Sequence, residues 1–207
     1  MEKLQQLGVI PVDYASLGSL YSSYRFPRNK ISGLEKEGLI IRLKRGMYVV
    51  SPKISGKLLS TELIANHIYG PSYVSMESAL RFYGLVPEMV HIVRSMTTKR
   101  SRIFENTLST FDYINCSDNY YIIGISQFTN DNFTFLIASP EKALCDLIGY
   151  TSKLRPRFLK SMRAYLEFDL RLEMEAFFKM DVNILRQCAE VGKKGNELNN
   201  LIKLLQR

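Results

Sequence analysis

The sequence predicts an α+β fold: an N-terminal winged helix-turn-helix, then a C-terminal domain with a small antiparallel sheet and several helices. Three observations lead there. Residues 25–51 read as a short basic helix followed at once by a basic hairpin. The middle of the chain carries segments rich in Val, Ile, Tyr, Phe and Thr between Asn-, Asp- and Gly-bearing turns. The last third keeps helical spacing, with Leu198, Leu201, Ile202 and Leu205 at i, i+3, i+4 and i+7.

A first helix is expected over residues 1–7, broken at Gly8. Asp13 is a good N-cap for a second helix, on which Ala15, Leu17 and Leu20 face inward. Tyr21-Ser22-Ser23-Tyr24 forms a turn longer than that of a minimal helix-turn-helix. Pro27 suits the first position of a third helix, Ile31 and Leu34 stand one turn apart on its inner face, and Gly38 stops it. Gly33, in the middle of that helix, costs about 1 kcal/mol relative to Ala; close packing on the preceding helix would account for it. Residues 39–41 and 47–50 are strand-like, joined through Lys44-Arg45-Gly46, and Tyr48 belongs in the core. The first domain therefore spans residues 1–51, and the Pro, Gly and Ser of residues 52–56 read as a linker.

The second domain, residues 57–207, opens with a helix carrying Leu58, Leu63, Ile64 and Ile68 and ended by Gly70-Pro71. Another helix runs over 75–83 and stops at Gly84. Strands are expected at 89–97, 110–115, 120–127 and 132–138, with Thr129-Asn130-Asp131-Asn132 as the clearest hairpin turn. Ser139-Pro140-Glu141 opens the next helix with an N-cap, an N1 proline and an acid in the first turn. Residues 156–206 are helical by period.

Charge is uneven along the chain. Residues 1–56, 57–150 and 151–207 carry net charges of +5, −2 and +5, out of +8 in total. A neutral centre between basic ends suits phosphate contacts from the termini. There is no early apolar segment of signal type and no run of about 18 apolar residues, so a cytoplasmic chain without membrane association is expected. Cys116, Cys145 and Cys188 are far apart and odd in number, and read as buried free thiols. With His67 and His91 as the only histidines, no metal site or cofactor is expected. Catalysis is not expected either. The chain has no Gly-rich phosphate loop, Glu173 and Glu175 diverge on a helix, and Glu141-Lys142 lacks the spacer residue of a nuclease core.

The basic helix and hairpin point to DNA. Arg28, Asn29, Lys30 and Ser32 lie in the first turns of the third helix, where a recognition helix meets base edges. Arg25 and Lys36 suit phosphates, and Arg42, Lys44 and Arg45 would sit on the wing. A second basic set, Lys99, Arg100 and Arg102, reads as a second phosphate contact, a partner surface or simply a loop.

Taken in order, four tracts resemble one family. They are Gly38-Leu39-Ile40 with Arg45-Gly46-Met47-Tyr48-Val49; Tyr73-Val74-Ser75 with Ser78-Ala79-Leu80 and Tyr83-Gly84-Leu85; Thr97-Thr98-Lys99-Arg100; and residues 138–147 around Pro140-Glu141-Lys142-Ala143-Leu144. Over roughly residues 5–150 the chain resembles the AbiEi-type antitoxins of bacterial type IV toxin–antitoxin (abortive infection) systems. The resemblance implies a transcriptional autorepressor whose winged helix binds repeats in its own promoter. It also implies a C-terminal domain that counteracts a nucleotidyltransferase-like toxin without needing a stable complex. Mapped onto this chain, the implied DNA contacts are Arg28, Asn29, Lys30, Arg42, Lys44 and Arg45. The alternative is a protein-interaction module that uses the winged helix as a scaffold and binds DNA only non-specifically.

Overall fold

Capping chemistry sets the N-terminal elements. The computed structural model describes residues 2–87, 92–130 and 133–207. Met1, the 89–91 start of the expected strand, His91, and Asp131 and Asn132 of the expected turn lie outside them. Glu2–Gln5 (α1) is a single turn, shorter than the expected helix, and Val12–Asp13 (β1) leads into Tyr14–Ser19 (α2). Asp13 caps α2 as its sequence position suggested, accepting the Ser16 N–H at 2.7 Å. Leu17 is buried, whereas Ala15 is exposed. Pro27 takes the first position of Pro27–Lys36 (α3), which buries Ile31 and Leu34. Gly38 at φ +69° ends that helix.

Ile40–Lys44 (β2) and Met47–Val50 (β3) form an antiparallel hairpin turning at Gly46, where φ is +77°. β1 pairs with the other side of β3, giving the order β1-β3-β2. The Tyr14 N–H donates to Gly46 O at 2.8 Å and ties the hairpin tip to the start of α2.

Packing does not explain Gly33. The nearest neighbour a Cβ there would meet is Glu37 Oε1, 4.0 Å away. Gly33→Ala is therefore expected to stabilise the fold by about 0.5–1 kcal/mol, through helix propensity and a less flexible unfolded chain. Thermal denaturation reads this as a raised Tm; a lowered Tm would mean that α3 needs the glycine.

The hairpin is shared by two cores. Ile40, Tyr48 and Val50 pack with Leu4, Leu17, Ile31 and Leu34, while Leu43 and Val49 join the large core of the C-terminal half. Asn106 Nδ2 also donates to Leu43 O at 3.0 Å. Residues 52–56, expected as a linker, form a capped helical turn. Ser51 caps Pro52–Ser55 (α4), Gly56 ends it at φ +67°, and Ile54 rests on the small core.

The C-terminal half is built on a six-stranded mixed sheet, larger than the antiparallel one expected. Its elements run Thr61–Ile68 (α5), Ser72–Val74 (β4), Met76–Phe82 (α6), Ile92–Thr97 (β5), Arg102–Glu105 (β6), Thr110–Asn115 (β7), Asp118–Tyr121 (α7), Ile125–Thr129 (β8), Thr134–Ala138 (β9) and Pro140–Tyr150 (α8). The strand order is β6-β7-β5-β4-β9-β8, with β5–β7 and β4–β9 parallel and the other pairs antiparallel. β4 and β6 were not anticipated, and the strand expected over 120–127 is a helical turn followed by β8.

Ser139 caps α8 through its hydroxyl and Pro140 opens it, and α8 is buried along most of its length. The helical tail comprises Leu159–Ala164 (α9), a π-helical turn at Tyr165–Asp169, Met174–Phe177 (α10), Val182–Val191 (α11) and Gly195–Leu205 (α12). All three cysteines are free and buried. Among the described residues, no helix is long and apolar enough to cross a membrane, and no three His, Cys, Asp or Glu side chains gather as a metal ion would need.

Candidate nucleic-acid interface

α3 presents one polar face to solvent. Arg28, Ser32 and Lys36 recur at i, i+4 and i+8, with Asn29 beside them, and all four are exposed. The first turn holds no acid, so the positive end of the helix dipole and Arg28 together favour an anion there, although the Asn29 and Lys30 N–H groups both donate to Phe26 O. Arg25 is exposed just ahead of the helix, its guanidinium 5.3 Å from the Phe26 ring centroid.

The hairpin faces this helix across a concavity of about 470 Å³, whose walls include Tyr14, Arg28, Ser32, Arg42, Arg45 and Tyr48. Four of the basic and polar residues singled out from sequence therefore meet in one groove. Arg42 is partly committed inside it: Nη2 pairs with Glu35 Oε2 at 2.8 Å, and the guanidinium lies 5.8 Å from the Tyr48 ring centroid. Arg45 is exposed at the hairpin tip. Tyr14, which sequence reasoning passed over, lines both this groove and the neighbouring cleft that holds Arg25 and Asn29. Its position directly after the Asp13 cap was the available signal.

Two residues depart from the expected arrangement. Lys30 lies toward the buried side of α3, half-buried, with Nζ 5.9 Å from the Tyr24 ring centroid; it does not share the face of Arg28 and Asn29. Lys44 is not on the solvent side of the hairpin. The pairing of β2 with β3 shifts register between Arg42 and Lys44, so Arg42 lies opposite Tyr48 while Lys44 lies opposite Met47. Lys44 thus turns toward the C-terminal half and donates to Ile68 O at 2.6 Å.

There it meets the second basic set. Lys99 Nζ donates to Gly70 O and lies 5.4 Å from the Tyr69 ring centroid. Arg102 Cζ lies 4.9 Å, and Lys44 Nζ 5.8 Å, from the Phe104 ring centroid. Arg100 is exposed in the loop between β5 and β6. Burial, then the nearby Arg102 and Lys99 charges, hold the Lys44 ammonium below the usual lysine range.

The Glu141-Lys142 tract is divided between two environments. Glu141 accepts the Asp181 N–H at 3.1 Å at the start of α11. Lys142 is fully buried. Its Nζ lies 3.2 Å from Asp146 Oδ1, donates to Tyr120 O at 2.9 Å and sits over the Tyr120 ring. Asp146 Oδ2 accepts from the Tyr73 hydroxyl at 3.1 Å and the Ser75 hydroxyl at 2.6 Å. Burial pushes the Asp146 carboxyl up, opposed by the Lys142 charge and the Ser75 hydrogen bond. A Cβ at Gly124 would come within 2.8 Å of Lys142 Cβ, so the chain passes over the lysine only where a side chain is missing. Lys142 and Asp146 are both fully buried, and among the described residues the Tyr120 hydroxyl and Asp146 Oδ1 accept or donate no hydrogen bond.

No family model matches the sequence, and no curated protein matches it. Among solved structures the chain is similar to the RV2827C protein from Mycobacterium tuberculosis, with a TM-score of 0.52 at 10% identity. That alignment covers 99% of this chain and 78% of the other. At such identity the similarity speaks for the mixed α and β fold alone.

Proposed function

We propose that the chain is a sequence-specific DNA-binding protein whose N-terminal part, residues 1–51, is a winged helix-turn-helix with α3 as the recognition helix. The observation that carries this reading is the groove: Arg28 and Ser32 on the exposed face of α3, with Arg42 and Arg45 opposite on the hairpin. The element order α1-β1-α2-α3-β2-β3 and the strand order β1-β3-β2 support it. Asn29 and Arg28 at the start of α3 are placed for adenine and guanine edges, and Lys36, Arg25 and Arg45 for backbone phosphates.

The resemblance to AbiEi-type antitoxins adds the biological role. On this reading the chain works in the cytoplasm, represses its own promoter and counteracts a nucleotidyltransferase-like toxin, with no catalytic step of its own. A titration against the duplex upstream of its own gene and a scrambled duplex, each at two salt concentrations, tests the binding claim. The expected preference is about 10³ or more, the range of specific binders. Equal affinity for both duplexes would leave only a basic protein and remove the repressor reading.

A further inference from the structure

We propose that Lys44, Lys99 and Arg102 form a second seat for a backbone phosphate of the bound duplex, at the joint between the hairpin and the large sheet. This inference rests on the DNA-binding reading and extends the contact surface from α3 to the C-terminal half.

The three cations surround a single ring pair, Tyr69 and Phe104, whose centroids are 5.6 Å apart. Among the described residues none of the three has a carboxylate within ion-pair distance. Lys44 and Lys99 each donate to one carbonyl at or just past the end of α5. An ammonium has three donors, so each keeps others for a ligand. Those carbonyls account for two of the cations by complementing the helix dipole, but not for Arg102, which is exposed on the edge strand β6. Like charges held close without a counter-ion destabilise one another; burial is the first cause of the lowered Lys44 pKa, and the Arg102 and Lys99 charges add to it. A phosphate oxygen would relieve that repulsion and accept the free donors.

The hairpin connects this seat to the α3 groove. Arg42 faces α3, Arg45 is at the tip and Lys44 faces the sheet, so cations run around the end of the hairpin from one set to the other. A duplex lying along that path meets both.

The test uses the full chain and the double variant Lys99→Gln/Arg102→Gln, with the promoter and scrambled duplexes titrated over a salt series. Loss of one phosphate contact should flatten the slope of log affinity on log salt by about 0.9. The variant then loses about 3–4-fold less affinity than the wild type between about 50 and 200 mM salt. The preference for promoter over scrambled duplex should be retained. If the wild type binds its promoter selectively and the variant keeps the full slope, this seat is refuted while the recognition helix stands. If the wild type shows no preference but the variant still flattens the slope, the seat stands and the repressor reading falls. In a parallel arm, pyrophosphate is titrated while the amide resonances of Lys99 and Arg102 are followed. Saturable shifts there, with an unchanged duplex slope, would assign the site to a free phosphate ligand and overturn the duplex reading.

Discussion

Replacing Asp146 with alanine is expected to lower the unfolding free energy by about 3–5 kcal/mol, the cost typical of breaking a buried ion pair from one side. The cause is what stays behind. Lys142 has no exposed surface, and without Asp146 its ammonium keeps the Tyr120 carbonyl and the Tyr120 and Tyr73 rings but no counter-charge. The Tyr73 and Ser75 hydroxyls lose their shared acceptor as well, and an unsatisfied buried polar group costs about 1–3 kcal/mol. The pair does not owe its position to helix chemistry. Lys142 precedes Asp146 by four residues in α8, and that order is less favourable with the helix dipole than an acid before a base.

Desolvation and attraction nearly cancel in such pairs, and apolar replacements of similar volume are often neutral or stabilising. The double change Lys142→Met/Asp146→Leu is therefore expected to recover most of the loss. Denaturant unfolding of the single and double variants measures both. A single Asp146→Ala change that costs under about 1 kcal/mol would mean that the lysine sheds its charge or escapes to water, and that the network is not a true ion pair.

The sequence made the local signals legible, because caps and stops depend on neighbouring residues alone. Asp13, Pro27, Gly38, Gly46, Gly84 and Ser139-Pro140 all act in the structure as their positions suggested. What it concealed depends on distant partners. β4 is three residues long and buried throughout, so it shows no alternation. The parallel pairings of β5 with β7 and β4 with β9 join segments whose register no turn dictates. The Tyr120-Tyr121 stretch reads as strand by composition, yet it closes a helical turn over Lys142.

The site was hidden at one point for a similar reason. Simple alternation along β2 puts Lys44 on the same face as Arg42, and a single register shift moves it to the other side of the hairpin. Lys30 was misplaced because a basic residue near a helix start looks alike on either face until the buried stripe of Ile31 and Leu34 is fixed.

Arg28→Ala and Arg45→Ala are expected to weaken DNA binding in different ways, and the difference separates base reading from backbone contact. Arg28 is exposed in the first turn of α3 and makes no ion pair among the described residues, so its removal should leave the fold intact. If its guanidinium reads a guanine edge, the alanine variant loses about 1–3 kcal/mol on the promoter and far less on scrambled duplex, and the preference shrinks by about 10–100-fold. Arg45 lies at the hairpin tip, where a cation reaches phosphate or the minor-groove edge. Its loss should weaken both duplexes alike and flatten the salt slope by about 0.9. Binding isotherms for the two variants on both duplexes decide the matter. Should both variants lose affinity equally on promoter and scrambled duplex, the face of α3 carrying Arg28 and Asn29 would be a phosphate contact only. Sequence discrimination would then have to come from the shape of the DNA that the hairpin and the Lys44 joint grip.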